Sequence, residues 1–258
     1  MKKVVISSAF KKEYEFLKKH ISNIAVQIKN DFFEIKNIDN ESLKLFFLET
    51  GIGKVNSSVN VSKLLSEINP DYLIHIGCCG SLTDEVDKGT IICPEKIQEA
   101  DVCGYFSSRK IPLSINGNGY SVSNELMEIA VKNLKQFNGF NIKFENILTG
   151  DFVLLDSKIR QKLKLLYDDS KLKYSGFDME TYAVAAASVK FNIPFIVFRV
   201  VVDNCKPETD ILNGIIEDEI YSLKKFAEKI YNKSVDKDIF EKSLKTLNEF
   251  VSKYIELV

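Results

Sequence analysis

The segment Pro194–Val202 constrains this chain more than any other, because it is almost wholly apolar and yet carries Arg199 at its centre. A run without polar alternation has no solvent face, as expected for a strand covered on both sides within an α/β sheet. A guanidinium in such a strand is costly unless a carboxylate meets it. The fold therefore has to deliver an acidic side chain to Arg199, and Glu13 and Glu180 are the available candidates.

The rest of the chain supplies strands and helices in alternation. Lys3–Ser8 reads as a buried strand followed by a helix from about Lys11 to Ile21. Ala25–Lys29 and Phe32–Ile35 flank the turn pair Asn30-Asp31. Leu43–Glu49 is a strand that runs into Thr50-Gly51-Ile52-Gly53-Lys54, and Val55, Val59, Val61, Leu64 and Leu65 give the next segment a helical face that Pro70 ends. Tyr72–Ile76 closes on a glycine-rich turn, Gly77-Cys78-Cys79-Gly80. Gly89–Cys93 and Ile147–Thr149 are further strands, and Asn124–Phe137 is an amphipathic helix. A helix of small residues, including Ala183, Ala185, Ala186 and Ala187, follows Glu180. Two helical segments, roughly Ile215–Tyr231 and Val235–Tyr254, extend the chain after about residue 204. Strands interleaved with helices predict one α/β domain over residues 1–258, a three-layer sandwich with a central mixed sheet flanked by helices. The polar stretch Gly104–Tyr120 is long enough to cover a site or an interface.

Composition narrows the function classes. The 258 residues are 45% hydrophobic and 28% charged, with a formal net charge of -1, so no global field attracts nucleic acid or an anionic membrane. The opening Met1–Ser8 has too short an apolar run for a signal peptide, and no stretch reaches the length of a membrane span. Five cysteines without CxxC spacing suit a reducing, cytoplasmic setting. The vicinal pair Cys78-Cys79 is a weak metal or redox signal in a chain with two histidines, His20 and His75, and no metal is expected.

Four features fall where strands end, the usual place for ligands in such sheets. They are Ala9–Glu13, Gly77–Gly80, Phe177-Asp178-Met179-Glu180, and Arg199 with Asp203. Taken singly, each has a plainer reading. Glu13 and Glu180 suit first helical turns, Asp203-Asn204 suits a turn and cap, and glycines are common at strand ends. Arg199 has no such alternative.

Taken in order, these features and several others resemble the 5'-methylthioadenosine/S-adenosylhomocysteine nucleosidases of the nucleoside phosphorylase/nucleosidase superfamily. The resemblance runs from Val4 to about Asp203. It includes Thr50–Lys54, Gly77–Gly80, Gly89-Thr90-Ile91, Ala100-Asp101-Val102, Thr149-Gly150-Asp151, Met179-Glu180 and Arg199-x-x-x-Asp203. It implies a nucleoside phosphorylase-like fold, cleavage of a purine nucleoside at its N-glycosidic bond, and neither metal nor organic cofactor. By the same resemblance Asp203 would protonate or hydrogen-bond purine N7. An acid doing so near neutral pH has to hold its proton, which the apolar run Val200–Val202 favours. Glu180 would take both ribose hydroxyls, Met179 would pack beneath the sugar, and Glu13 would deprotonate the attacking water. Arg199 would fix that water and the acids around it, while Phe152, Val153 and Leu154 would stack on and edge the purine. The family is usually a homodimer, with Tyr105 and Pro112 in the segment that closes the pocket across the interface.

Water is favoured over phosphate as the nucleophile, because the first strand runs into Ser7-Ser8-Ala9-Phe10 without a glycine-arginine phosphate motif and Glu13 would repel a dianion. The chain also departs from the family's pattern. Cys78 replaces a small hydroxyl residue, Phe152 sits one place early with Val153 in its slot, and Val202 precedes Asp203 where a serine is common. Ile211, Ile215 and Phe240 all qualify as the residue that covers the pocket. The alternatives are a purine nucleoside phosphorylase, a nucleosidase for another purine nucleoside, and a non-catalytic nucleoside-binding relative.

Overall fold

The computed structural model describes residues 2–14, 24–29, 32–36, 43–106, 109–112, 119–154, 157–169, 172–203 and 237–257, with backbone alone at 24–29, 32–36, 105–106, 109–112 and 237. The apolar run forms the strand Phe195–Asp203, and its alternating side chains enter different cores. Ile196, Phe198, Val200 and Val202 join one cluster, with Phe250 and Tyr254 of the last helix. Phe195 and Val197 join a second cluster on the opposite face, with Leu64 and Val184. Both faces are therefore packed, and each fully buried Val, Ile or Phe contributes roughly 1.5–3 kcal/mol. Arg199 lies on the same face as Phe195 and Val197, where the apolar packing gives way to buried polar side chains.

In chain order the strands are β1 (Lys2–Ser8), β2 (Ile24–Lys29), β3 (Phe32–Lys36), β4 (Leu43–Glu49), β5 (Tyr72–Ser81), β6 (Ile91–Ile92), β7 (Lys96–Glu99), β8 (Cys103–Phe106), β9 (Arg109–Pro112), β10 (Tyr120–Ser121), β11 (Ile142–Lys143), β12 (Asn146–Thr149), β13 (Tyr174–Asp178) and β14 (Phe195–Asp203). The helices are α1 (Lys54–Ile68), α2 (Asn124–Lys132), α3 (Ser157–Tyr167), α4 (Thr181–Lys190) and α5 (Lys237–Ile255). The main path of the mixed sheet runs β10-β7-β12-β13-β5-β1-β4-β3-β2, with β14 paired to β5 and β6, while β8 and β9 form a separate hairpin. Helices α1 and α4 cover one face through Leu64, Leu65, Val184 and Ala185. Helix α5 covers the other through Leu247, Phe250 and Tyr254, giving the expected mixed α/β layering.

β5 is the hinge of the architecture. Its first half pairs in parallel with β1, Val4 to Ser7 opposite Tyr72 to His75. Its end turns to pair antiparallel with β13 at Gly80 and Ser81. Along most of its length β14 runs parallel beside it. The expected turn at Gly77–Gly80 is thus continuous strand, with the two glycines serving close approach of side chains rather than a reversal.

Other expectations need adjustment. The amphipathic segment 124–137 breaks at Asn133, whose Nδ2 donates to the Ile129 carbonyl at 2.9 Å. A short 3-10 turn, Leu134–Phe137, then sets the Phe137 ring 4.6 Å from Phe250. Of the helix expected from Lys11 to Ile21, the described part is a 3-10 turn, Lys11–Glu13. The strand expected over Gly89–Cys93 is only the two-residue β6. The stretch Gly104–Tyr120 contributes to the β8-β9 hairpin and to β10 rather than forming a plain loop. The segment Ile215–Tyr231 lies outside the described residues. β7 and α3 are structural findings without a sequence counterpart, and β13 is the strand whose end was expected at Phe177–Glu180.

Candidate active site

A buried polar cluster is assembled at the carboxyl ends of β1, β4, β12, β13 and β14 and along the second half of β5. Ser7 of β1 stands opposite His75 of β5, and Gly77 of β5 stands opposite Arg199 of β14. The Arg199 side chain has no solvent exposure, and acidic groups surround it. Its Nε lies 2.8 Å from Asp178 Oδ2, while its other nitrogens lie 3.5 Å from Glu180 Oε2 and 4.0 Å from Glu13 Oε1. Nε also donates to Thr181 Oγ1 at 3.0 Å. The demand for a carboxylate is met by both anticipated glutamates and, most closely, by Asp178. Sequence reasoning gave Asp178 no role, although an aspartate ending a fully buried strand is itself a signal.

His75 completes the shell. Arg199 Nη2 donates to His75 Nε2 at 2.6 Å, and because an arginine has only donors this nitrogen carries no proton. Nδ1 is therefore the protonated nitrogen and donates toward Ser7, whose Oγ is 2.9 Å away and whose carbonyl is 3.1 Å away. Burial and the Arg199 charge hold His75 well below the ordinary histidine range, so it is neutral.

Glu13 is buried and does not serve a helix dipole. Its Oε2 accepts from the Ala9 N–H at 2.9 Å and its Oε1 from the Cys78 N–H at 2.8 Å. Asn248 of α5 donates to the Glu13 carbonyl at 2.8 Å, fixing the backbone as well. Burial raises the Glu13 carboxyl, with Arg199 and the two N–H donors opposing it. Glu180, directly before α4, does not cap that helix with its side chain. Instead its Oε1 accepts from the Gly53 N–H at 3.0 Å, and burial pushes it up to about 7 against the pull of Arg199. Three carboxylates, Glu13, Asp178 and Glu180, thus share one guanidinium.

Glycines create the room for this cluster. A Cβ at position 77 would fall 1.9 Å from Arg199 Nη1 and 2.7 Å from Glu13 Oε1. One at position 80 would fall 2.7 Å from Asp203 Oδ1. A bulge in β14 between Val201 and Asp203 brings Asp203 opposite Gly80 and re-aims its carboxylate. Asp203 is the last strand residue rather than a helix cap. The neighbour found on it is a cation, since Arg160 Nη1 donates to Oδ1 at 2.6 Å. The valines expected to enclose it point Val200 and Val202 into one core and Val201 into another.

The remaining candidates divide. Cys78 meets the site through its N–H, and burial together with Glu13 pushes its thiol well above the ordinary range, so it is not a thiolate. Cys78 and Cys79 project to opposite faces of β5 and pack in different cores, and no metal-binding group of His, Cys, Asp or Glu occurs among the described residues. Met179 is half-buried between Asp178 and Glu180. Phe152 turns inward onto Phe177, ring centroids 4.9 Å apart, whereas Val153 is 63% exposed and Leu154 is buried. Phe240 is packed in the core against Phe10, and Ile211 and Ile215 lie outside the described residues. Tyr105 and Pro112 belong to the β8-β9 hairpin, Tyr105 opposite Lys110 and Pro112 opposite Cys103. A further network ties the loops around the cluster. Lys54 Nζ bonds Glu99 and Asp101, and the Lys54 N–H donates to Asp151 Oδ1 at 2.7 Å.

A mixed sheet with helices on both faces and a buried carboxylate–guanidinium cluster at its strand ends defines the α/β class of this chain. A family model described as the phosphorylase superfamily matches residues 3–235, and the chain belongs to that superfamily. A 5'-methylthioadenosine/S-adenosylhomocysteine nucleosidase of Bacillus velezensis is 27% identical over 181 residues, covering 66% of this chain and 73% of the relative. The nucleosidase of the same name from Staphylococcus epidermidis is 26% identical over 210 residues, covering 80% and 88%. Among solved structures, the nucleosidase of Neisseria meningitidis in complex with methylthio-immucillin-A superposes with a TM-score of 0.77 at 18% identity over 100% of both chains. The Streptococcus pneumoniae nucleosidase with 8-aminoadenine gives 0.75 at 19% identity, again over 100% of both. These structural likenesses carry the nucleoside phosphorylase-like fold.

Proposed function

We propose that the chain hydrolyses the N-glycosidic bond of 5'-methylthioadenosine and S-adenosylhomocysteine, releasing adenine and the 5-thio-substituted ribose. The observation that carries this reading is the excess of buried carboxylates over cations around Arg199. A phosphate dianion is repelled from such a wall, whereas water and a ribose developing positive charge are accepted. Glu13 takes a proton from the attacking water as the water oxygen bonds C1'. The C1'–N9 electron pair leaves with the purine, and Asp203 gives its proton to N7. Glu180 accepts from the ribose hydroxyls and Met179 packs under the sugar. Arg199 holds the acidic groups and the water in register. Cys78 presents its N–H to Glu13, and Phe152, Val153 and Leu154 form the segment beside the purine. The division of labour parallels inverting glycoside hydrolysis, one carboxyl for the leaving group and one for water.

Incubation with either nucleoside in phosphate-free buffer, read by chromatographic detection of adenine, is expected to release the base. Strict dependence on phosphate, or no adenine from either nucleoside, overturns the reading. Asp203→Asn is expected to lower kcat by about 10²–10⁴-fold while leaving nucleoside affinity nearly unchanged.

The active form in this reading is a homodimer. Ile52, Val55 and Val59 are exposed in and just before α1, and Val153 is exposed two residues after Asp151, whose carboxylate accepts from the Lys54 N–H. Such a strip suits a second copy, with the Tyr105 and Pro112 hairpin reaching the partner's pocket. The free cysteines suit the reducing conditions of a cytoplasm, and no helix among the described residues is long and apolar enough to cross a membrane.

A further inference from the structure

Arg160 stands in the first turn of α3, 2% exposed, and the hydrolytic reading gives it no role. Its Nε donates to the Leu154 carbonyl at 3.0 Å and Nη2 donates to the same oxygen. Nη1 donates to the Ser81 carbonyl at 3.1 Å and to Asp203 Oδ1 at 2.6 Å. Two backbone carbonyls from separate segments, the loop beside the purine and the end of β5, therefore lock the planar fork before it meets the carboxylate. Gly80 clears the space into which that carboxylate reaches. Among the described residues the second oxygen, Oδ2, makes no hydrogen bond to protein. A buried arginine bound on both sides by carbonyls cannot follow a moving partner, so its position dictates that of Asp203.

We infer that Arg160 is a positioning residue for departure of the purine: it commits Asp203 Oδ1 and leaves Oδ2 to carry the proton to N7. This rests on the hydrolytic reading above. When the C1'–N9 pair passes to the base, the proton moves from Oδ2 to N7, and the carboxylate so formed already has its counter-ion in place. Because the same guanidinium holds the Leu154 carbonyl, the segment beside the base and the acid that serves it move as one unit. Arg160 also occupies the role left open by Val202, which offers the carboxylate no hydrogen bond.

The test compares 5'-methylthioadenosine with its N7-methylated counterpart, whose base leaves as a neutral molecule without a proton at N7. For Arg160→Gln, kcat on the ordinary substrate is expected to fall about 10²-fold with KM within a few-fold, while turnover of the N7-methylated nucleoside stays within a few-fold of wild type. The double variant Arg160→Gln with Asp203→Asn is expected to be no slower than Asp203→Asn alone. Equal losses on both nucleosides, or multiplying losses in the double variant, overturn the inference and reduce Arg160 to a structural part. Should Arg160→Gln fail to fold, Arg160→Lys, which keeps the cation and loses the fork, is read on the same pair of substrates with the same criterion. If wild type cleaves neither nucleoside, the hydrolytic reading itself falls; if it cleaves both and the variants slow both equally, only the role of Arg160 falls.

Discussion

Glu180 holds its proton to about pH 7, well past the point where an exposed glutamate has ionised, because burial outweighs the attraction of Arg199. Between about pH 4.5 and 7 the folded chain therefore carries a proton that the unfolded chain has lost. The contribution of this group to stability is full below the ordinary glutamate value and declines as pH rises through the folded one. Glu180→Gln is expected to flatten the fall of Tm across that window, which thermal melts in a series of buffers will read. Nucleoside affinity is expected to climb in wild type as pH passes about 7, since only the carboxylate accepts from both ribose hydroxyls. Arg199→Met strands three buried carboxylates and is expected to cost about 3–5 kcal/mol in urea unfolding. At this scale the sequence was partly legible. Arg199 announced itself because a charge broke an apolar pattern, and Glu13 and Glu180 followed from its need for partners. Arg160 escaped because its helix had not been anticipated, and Asp178, although placed at a strand end, was given no role because the glutamates already answered the need of Arg199.

β5 shows why element type matters more than residue type for a glycine. Read as a turn, Gly77 and Gly80 would be there for backbone freedom. Within a strand they are there because Arg199, Glu13 and Asp203 occupy the volume of the missing side chains. The two positions should respond differently to one methyl group. Gly77→Ala drives a carbon into a guanidinium that cannot retreat, and is expected to lose about 1–3 kcal/mol of stability along with activity. Gly80→Ala displaces a partly exposed carboxylate, and is expected to lower kcat with Tm close to wild type. Melting curves and steady-state kinetics on the two variants separate these outcomes. Unbroken apolar runs recovered β1, β4 and β14, an apolar helical face recovered α1, and a run of small residues recovered α4. Periodicity missed β7 and overextended α2, where four residues or a single asparagine decide the outcome.

On the scale of the whole molecule, the layered α/β architecture was readable from the alternation of strands and helices, while the exchange of partners along β5 was not. That exchange is a tertiary choice with no local signature. The proposed dimer is a property of this scale too. Val55→Asp, on a residue 72% exposed in α1, is expected to yield monomers in sedimentation velocity and to weaken binding of the 5' substituent more than turnover of the base. A dimer unchanged by that substitution overturns the placement of the interface. The shared guanidinium has one more consequence. Above about pH 7, where Glu180 is ionised, an inner wall with more acid than base is in electrostatic debt when it stands alone, and a neutral nucleoside leaves that debt outstanding. Only as the glycosidic bond stretches and C1' turns cationic does the ligand supply the missing charge, so the protein grips the fleeting species more tightly than the resting one.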